Sequence, residues 1–174
     1  MKELTKEGQY PQPIDVVWAA FTNGEAMAQW LMPNNFPAAP RVGDKFQFRF
    51  DPMGPMGGVI ECEILELDPP RRMVWCWTGC KSDGKKMSTQ RIEWTLTPRD
   101  GGTHVRLVQS DTGLMPFVMR FMMAFGWGTM LKRWLPRVAA SFEQKDGAIV
   151  YRRMSNPPNK GHHRVTTVPD DFHK

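Results

Sequence analysis

The sequence predicts an α+β domain in which a curved antiparallel sheet of five or six strands wraps around one long helix near the C-terminus, with two short helices after the first strand. Three observations predict it. From residue 45 onward apolar and polar residues alternate, as in Phe46, Phe48 and Phe50 against Lys45, Gln47 and Arg49, the mark of strands with one wet face. The stretches between them, DPMGPMGG (51–58), KSDGKK (81–86) and PRDGG (98–102), are short and turn-forming, so successive strands run antiparallel. Finally, GWGTMLKRWLPRVAASFE (126–143) sets Trp127, Met130, Leu131, Trp134, Leu135, Val138 and Phe142 on one helical stripe. Each tryptophan ring buries roughly 150–250 Å², and only a broad concave surface can cover such a stripe.

Taken in order, residues 3–10 form a short first strand. Pro13 and Asp15 open a helix through Val16–Phe21. Asn23 caps a second helix, over Glu25–Leu31, that turns Met27, Trp30 and Leu31 inward before Pro33 stops it. A proline-rich loop (33–40) leads to the Phe46 strand, and Val59–Leu67 returns from the hairpin. Met73–Trp77, Arg91–Thr97 and a last strand carrying Val105, Leu107 and Gln109 complete the meander. Leu114–Phe125, LMPFVMRFMMAF, is apolar almost all round, with Arg120 its one charge. Pro136 removes the donor for the carbonyl of Lys132, which predicts a kink. Residues 1–153 are read as one domain and 154–174, with Asn156-Pro157-Pro158-Asn159 and a histidine-bearing end, as a mobile polar tail.

A chain of 174 residues suits one domain with a real core. No apolar run reaches the roughly 18 residues of a membrane span, so no membrane insertion is expected. MKELTKEGQY has no apolar core of a secretory leader, and a cytoplasmic protein is expected. Cys62, Cys76 and Cys80 lack the spacing of a redox or zinc pair, and His104, His162, His163 and His173 keep no ligand spacing with them. Neither a metal nor another cofactor is expected. The net charge of +5 invites anionic partners. The basic residues are scattered singly or in pairs such as Arg71-Arg72 and Lys132-Arg133, however, and no nucleic-acid partner is expected.

Several segments together resemble a known superfamily. PIDVVWAAFTNGEAMAQW (13–30), VGDKF (42–46), the block from Gly58 to Trp77 with Asp68-Pro69-Pro70 at its centre, and GTHVRL (102–107) are similar to the START-like helix-grip (SRPBCC) proteins. The specific branch is the one named after the activator of heat-shock protein 90 ATPase. The resemblance covers about residues 10–143. It implies the helix-grip (START-like) fold, with a cavity between sheet and terminal helix. Many members carry a histidine near the end of the last strand, where this chain has Gln109-Ser110-Asp111. Any role of that histidine does not transfer.

Within the implied fold the candidate ligand-binding residues are Trp30, Phe48, Phe50, Trp75, Trp77 and Trp94 on the second helix and the strands. Gln109 joins them from the last strand, and Met115, Phe121, Trp127, Met130, Leu131 and Trp134 from the C-terminal segments. Rings and methionines suit a small apolar molecule, with Leu114–Phe125 as its gate. The same side chains can instead fill the space as a solid core, and the sequence leaves both readings open. A cyclase- or hydrolase-like enzyme is the alternative function, but alternation puts Glu61, Glu63, Arg91, Glu93 and Arg106 mostly on the wet face. No residue is assigned a catalytic role. A chaperone-associated interaction protein is the third reading. Leu114, Met115, Phe117, Met122 and Phe125, if exposed, would form a patch suited to a homodimer.

Overall fold

Alternation along the strands becomes one six-stranded sheet in the computed structural model, which describes residues 2–111, 117–158 and 167–174. The strands are β1 (Lys2–Tyr10), β2 (Lys45–Arg49), β3 (Met56–Asp68), β4 (Arg72–Lys81), β5 (Lys86–Arg99) and β6 (Gly102–Asp111). Their order is β1-β6-β5-β4-β3-β2, with every neighbouring pair antiparallel. Register shifts interrupt the β3–β4 and β4–β5 pairings, and such bulges bend a sheet and increase its twist. Phe46, Phe48, Ile60, Ile64, Trp75, Ile92, Trp94, Leu96, Val105 and Leu107 are buried on one face. On the other face Arg72 and Arg91 both pair with Glu66, Arg72 also with Glu93, and Lys86 with Glu61.

Helices α1 (Ile14–Thr22) and α2 (Gly24–Trp30) follow β1. The Asn23 side chain accepts from the Ala26 N–H at 2.9 Å, capping α2 as its sequence position predicts. Trp30 is fully buried, and its indole N–H donates to the Ala20 carbonyl at 2.9 Å, tying the two helices together.

The terminal helix departs from expectation in both extent and shape. It runs as α3 (Phe117–Thr129), a π turn (Met130–Trp134) and α4 (Leu135–Ala139). The segment read as a separate gate is therefore, from Phe117 on, the first part of this rod. The irregularity that Pro136 predicts takes the form of a wider turn just before it: the Leu135 N–H bonds the Met130 carbonyl, five residues back. In that register the Leu131 carbonyl would need the N–H of residue 136, which proline lacks. The Tyr10 hydroxyl supplies the missing donor, at 2.7 Å. Gly8 makes room for it, since a Cβ there would lie 2.6 Å from the Tyr10 hydroxyl oxygen.

Phe142, assigned by its spacing to the helix, instead begins a hairpin of β7 (Phe142–Lys145) and β8 (Ala148–Tyr151). Asp146 and Gly147 turn it with φ of 52° and 80°, as two-residue hairpin loops require. The last residues, 167–174, lie against α2 and the loop that follows it. Val168 and Phe172 are buried, the Asn34 and His173 backbones exchange hydrogen bonds at 2.7 and 3.2 Å, and Gln29 donates to the Lys174 carbonyl at 3.1 Å. Asn34 is fully buried, and its amide donates to the carbonyls of Gly24 and Met32, so the site that receives the chain end is itself satisfied.

Candidate functional site

The space between sheet and terminal helix is filled at one end and open at the other. At the filled end, Trp94 makes ring contacts with Phe21, Trp30, Trp75 and Trp127 at 4.7–6.1 Å between centroids. Phe46 and Phe48 extend the cluster from Trp75. The angles are mostly edge-to-face or tilted, the preferred geometry for aromatic pairs. Trp30, Phe48, Trp75 and Trp94 sit in this buried cluster, as does Leu131 in the core, and they are not among the residues that line the cavity at the other end. Rings of this size interlock and leave no room.

At the other end lies a cavity of about 350 Å³. The β2–β3 region contributes Phe50, Met53, Met56 and Ile60; β4 contributes Trp77, Gly79 and Cys80; β5 contributes Met87 and Gln90. The end of α2 adds Leu31 and Met32, and the inner side of the terminal helix adds Met119, Met122, Met123, Gly126, Trp127 and Met130. Of the candidates, Phe50, Trp77, Trp127 and Met130 therefore meet at one site. Phe121 does not: at 100° per residue it lies opposite Met119, Met123 and Gly126, and it is exposed. Trp134 packs half-buried against the core without reaching the cavity. Met115 lies outside the described residues.

Among the described residues eight methionines line the wall: Met32, Met53, Met56, Met87, Met119, Met122, Met123 and Met130. Sequence reasoning missed all but Met130. Met53 and Met56 sit in DPMGPMGG, where turn chemistry masked them, and the signal that could have found the set is the total of 13 methionines in 174 residues. No Asp, Glu, Lys, Arg or His lines the cavity among the described residues. Burial pushes the Cys80 thiol above its ordinary pKa, so it meets the cavity as a neutral group.

Polar contacts run in a short chain from Trp127. Its indole N–H donates to Gln109 Oε1 at 2.7 Å, and the Gln109 amide donates to Gln90 Oε1. Gln109 thus acts behind the wall, while Gln90 forms part of it. The carboxylates and arginines weighed for catalysis lie elsewhere. Glu63 pairs with Lys45 and Arg106 with Glu7 on the outer face, alongside the pairs of Glu61, Arg91 and Glu93.

A bent antiparallel sheet gripping a C-terminal helix, with two short helices in the β1–β2 connection, is the helix-grip fold. The profile of the family described as "Activator of Hsp90 ATPase homolog 1-like protein" matches residues 11–140, and the chain belongs to that family. No curated protein matches the sequence. Among solved structures, protein MLL2253 of Mesorhizobium loti is 29% identical, with a TM-score of 0.64 over 78% of this chain and 95% of that one. DynU16, from the dynemicin biosynthetic locus, is 22% identical, with a TM-score of 0.65 over 81% of this chain and 48% of its own. The Aha1 dimer of Colwellia psychrerythraea is 19% identical, with a TM-score of 0.57 over 75% and 91%. Among the described residues no helix is long and apolar enough to cross a membrane.

Proposed function

We propose that the protein binds and carries a small, mainly apolar molecule in the cavity between β3–β5 and α3. The observation that carries this reading is an unfilled space of about 350 Å³ walled by methionines, Phe50, Trp77 and Trp127. That volume falls in the range of small-molecule sites. Unbranched thioether side chains repack around ligands of varied shape, which suits a carrier better than a narrowly selective enzyme. Burying each ligand group the size of a leucine side chain contributes roughly 1.5–3 kcal/mol, so a few contacts give about micromolar affinity after the costs of association. Three free cysteines fit a reducing compartment, in keeping with a cytoplasmic carrier. No acid–base residue faces the cavity among the described residues, and no observation favours the enzymatic or the chaperone-associated reading.

The test is titration with the uncharged dye Prodan, followed by displacement with a panel of fatty-acid methyl esters and hydrocarbons. Saturable fluorescence that the panel displaces is the expected result. Silence from the dye and every panel member would show that the space is closed in solution.

The outer side of α3 supports a second property, self-association. Phe117, Val118, Phe121 and Phe125 are 67–82% exposed on one side of the helix, and a cluster of exposed large apolar side chains is the kind of surface that marks an interaction site. A related structure is a dimer, and a second copy of this chain is the proposed partner. Light scattering should give twice the chain mass, and Phe121→Glu should return it to the single-chain mass. A wild-type protein monomeric at all accessible concentrations contradicts this assignment.

A further inference from the structure

We infer that the cavity selects an uncharged ligand bearing a hydrogen-bond acceptor, such as a ketone or ester carbonyl, and that Gln90 is the residue that reads it. The inference rests on the carrier reading above and adds the chemical class of the cargo.

The argument begins at Trp127. An indole nitrogen can only donate, so the amide atom 2.7 Å away must be the oxygen of Gln109. That orientation leaves the Gln109 NH2 facing Gln90. Two amide nitrogens cannot face each other across a hydrogen bond, so Gln90 presents its oxygen to Gln109. Its own NH2 is then the free end of the chain. One donor-only ring has set the orientation of both carboxamides.

Gln90 is 8% exposed and lines the cavity. Its Nε2 has no hydrogen-bond partner among the described residues, whereas its Oε1 is occupied. On a wall that is otherwise almost wholly apolar, this NH2 is a donor open to the cavity, and a ligand acceptor placed against it gains a hydrogen bond. A ligand donor at the same point would leave two N–H groups opposed. Among the described residues no Lys, Arg or His lines the cavity, and that decides the charge. A carboxylate seated there would be desolvated with no countercharge, so the acceptor is neutral.

Three near-isosteric probes separate the possibilities by calorimetry: benzophenone (C=O bridge), diphenylmethane (CH2 bridge) and diphenylamine (N–H bridge). The preference for benzophenone over diphenylmethane should fall roughly five- to tenfold from wild type to Gln90→Met, the worth of one hydrogen bond. Diphenylamine should bind wild type no more tightly than diphenylmethane. A measurement on wild type alone guards against a variant that fails to fold. The carbonyl ¹³C resonance of bound benzophenone should lie downfield of its position in hexane, as hydrogen bonding requires. An unchanged preference in Gln90→Met, tighter binding of diphenylamine, or a resonance at the hexane position overturns the role of Gln90 while leaving the carrier reading intact. Failure of all three probes to bind removes the carrier reading and this inference with it.

Discussion

Gly126→Phe is expected to block ligand uptake, weakening binding of the uncharged dye Prodan more than tenfold, while the protein stays at least as stable as wild type. Gly126 lies on the cavity wall, and a Cβ built on it meets no atom within 4 Å. The added ring therefore enters open space, the same space a ligand would use. Removing a glycine from a helix interior itself favours the helix by up to about 1 kcal/mol, so lost binding cannot be put down to unfolding. Gly128 provides the matched control. Its Cβ would also meet nothing within 4 Å, but it does not line the cavity, and Gly128→Phe should bind the dye as wild type does. Dye titration with a parallel thermal melt checks both variants. Equal binding by Gly126→Phe and wild type would place the dye somewhere other than this cavity.

Tyr10→Phe should destabilise the fold by about 1–3 kcal/mol, the cost of leaving a buried carbonyl without a donor. Tyr10 is 1% exposed, and its hydroxyl is the donor to the Leu131 carbonyl that Pro136 cannot serve. The variant keeps the ring and removes one oxygen, so lost packing is a small part of the effect. Urea unfolding at neutral pH measures it. The same residue predicts a pH dependence. Burial raises the Tyr10 phenol above its ordinary pKa of about 10, so above that pH the unfolded chain releases a proton that the folded chain holds. Stability is complete below pH ~10 and falls as the pH rises beyond it. Tyr151, also raised by burial, contributes with the same sign and remains in the variant. Tyr10→Phe should accordingly show a shallower alkaline decline, and an equally steep one would assign the effect elsewhere.

The sheet was legible because a period of two is a local signal. Ile92, Trp94 and Leu96 alternate with polar residues, and all three are buried as the alternation implies. The helical stripe was legible for the same reason, at a different period. What escaped were features whose cause lies far along the chain. Pro136 announced an irregularity, but its form depends on a hydroxyl 121 residues from the carbonyl it serves, and no window of local sequence contains both. The β7–β8 hairpin carried its own Asp146-Gly147 signal. It was overridden because Phe142 happens to continue the apolar spacing of the helix. The docking of Phe172 and His173 escaped because the receiving groups, Asn34 and its neighbours, are arranged only once α2 is in place. As for the site, composition indicated that rings and methionines would dominate it. Which rings fill and which line is decided by where strands and helix diverge, and that is a property of the whole sheet.

Helix α3 is greasy on both sides, and Met122 belongs to both, lining the cavity while 49% exposed. In the proposed carrier and dimer, a wall shared in this way links two equilibria. Any cargo that shifts the helix alters how well two copies fit, and by thermodynamic reciprocity the pairing of copies alters the hold on cargo by the same factor. Loading and release then become sensitive to protein concentration, without any third molecule to signal them.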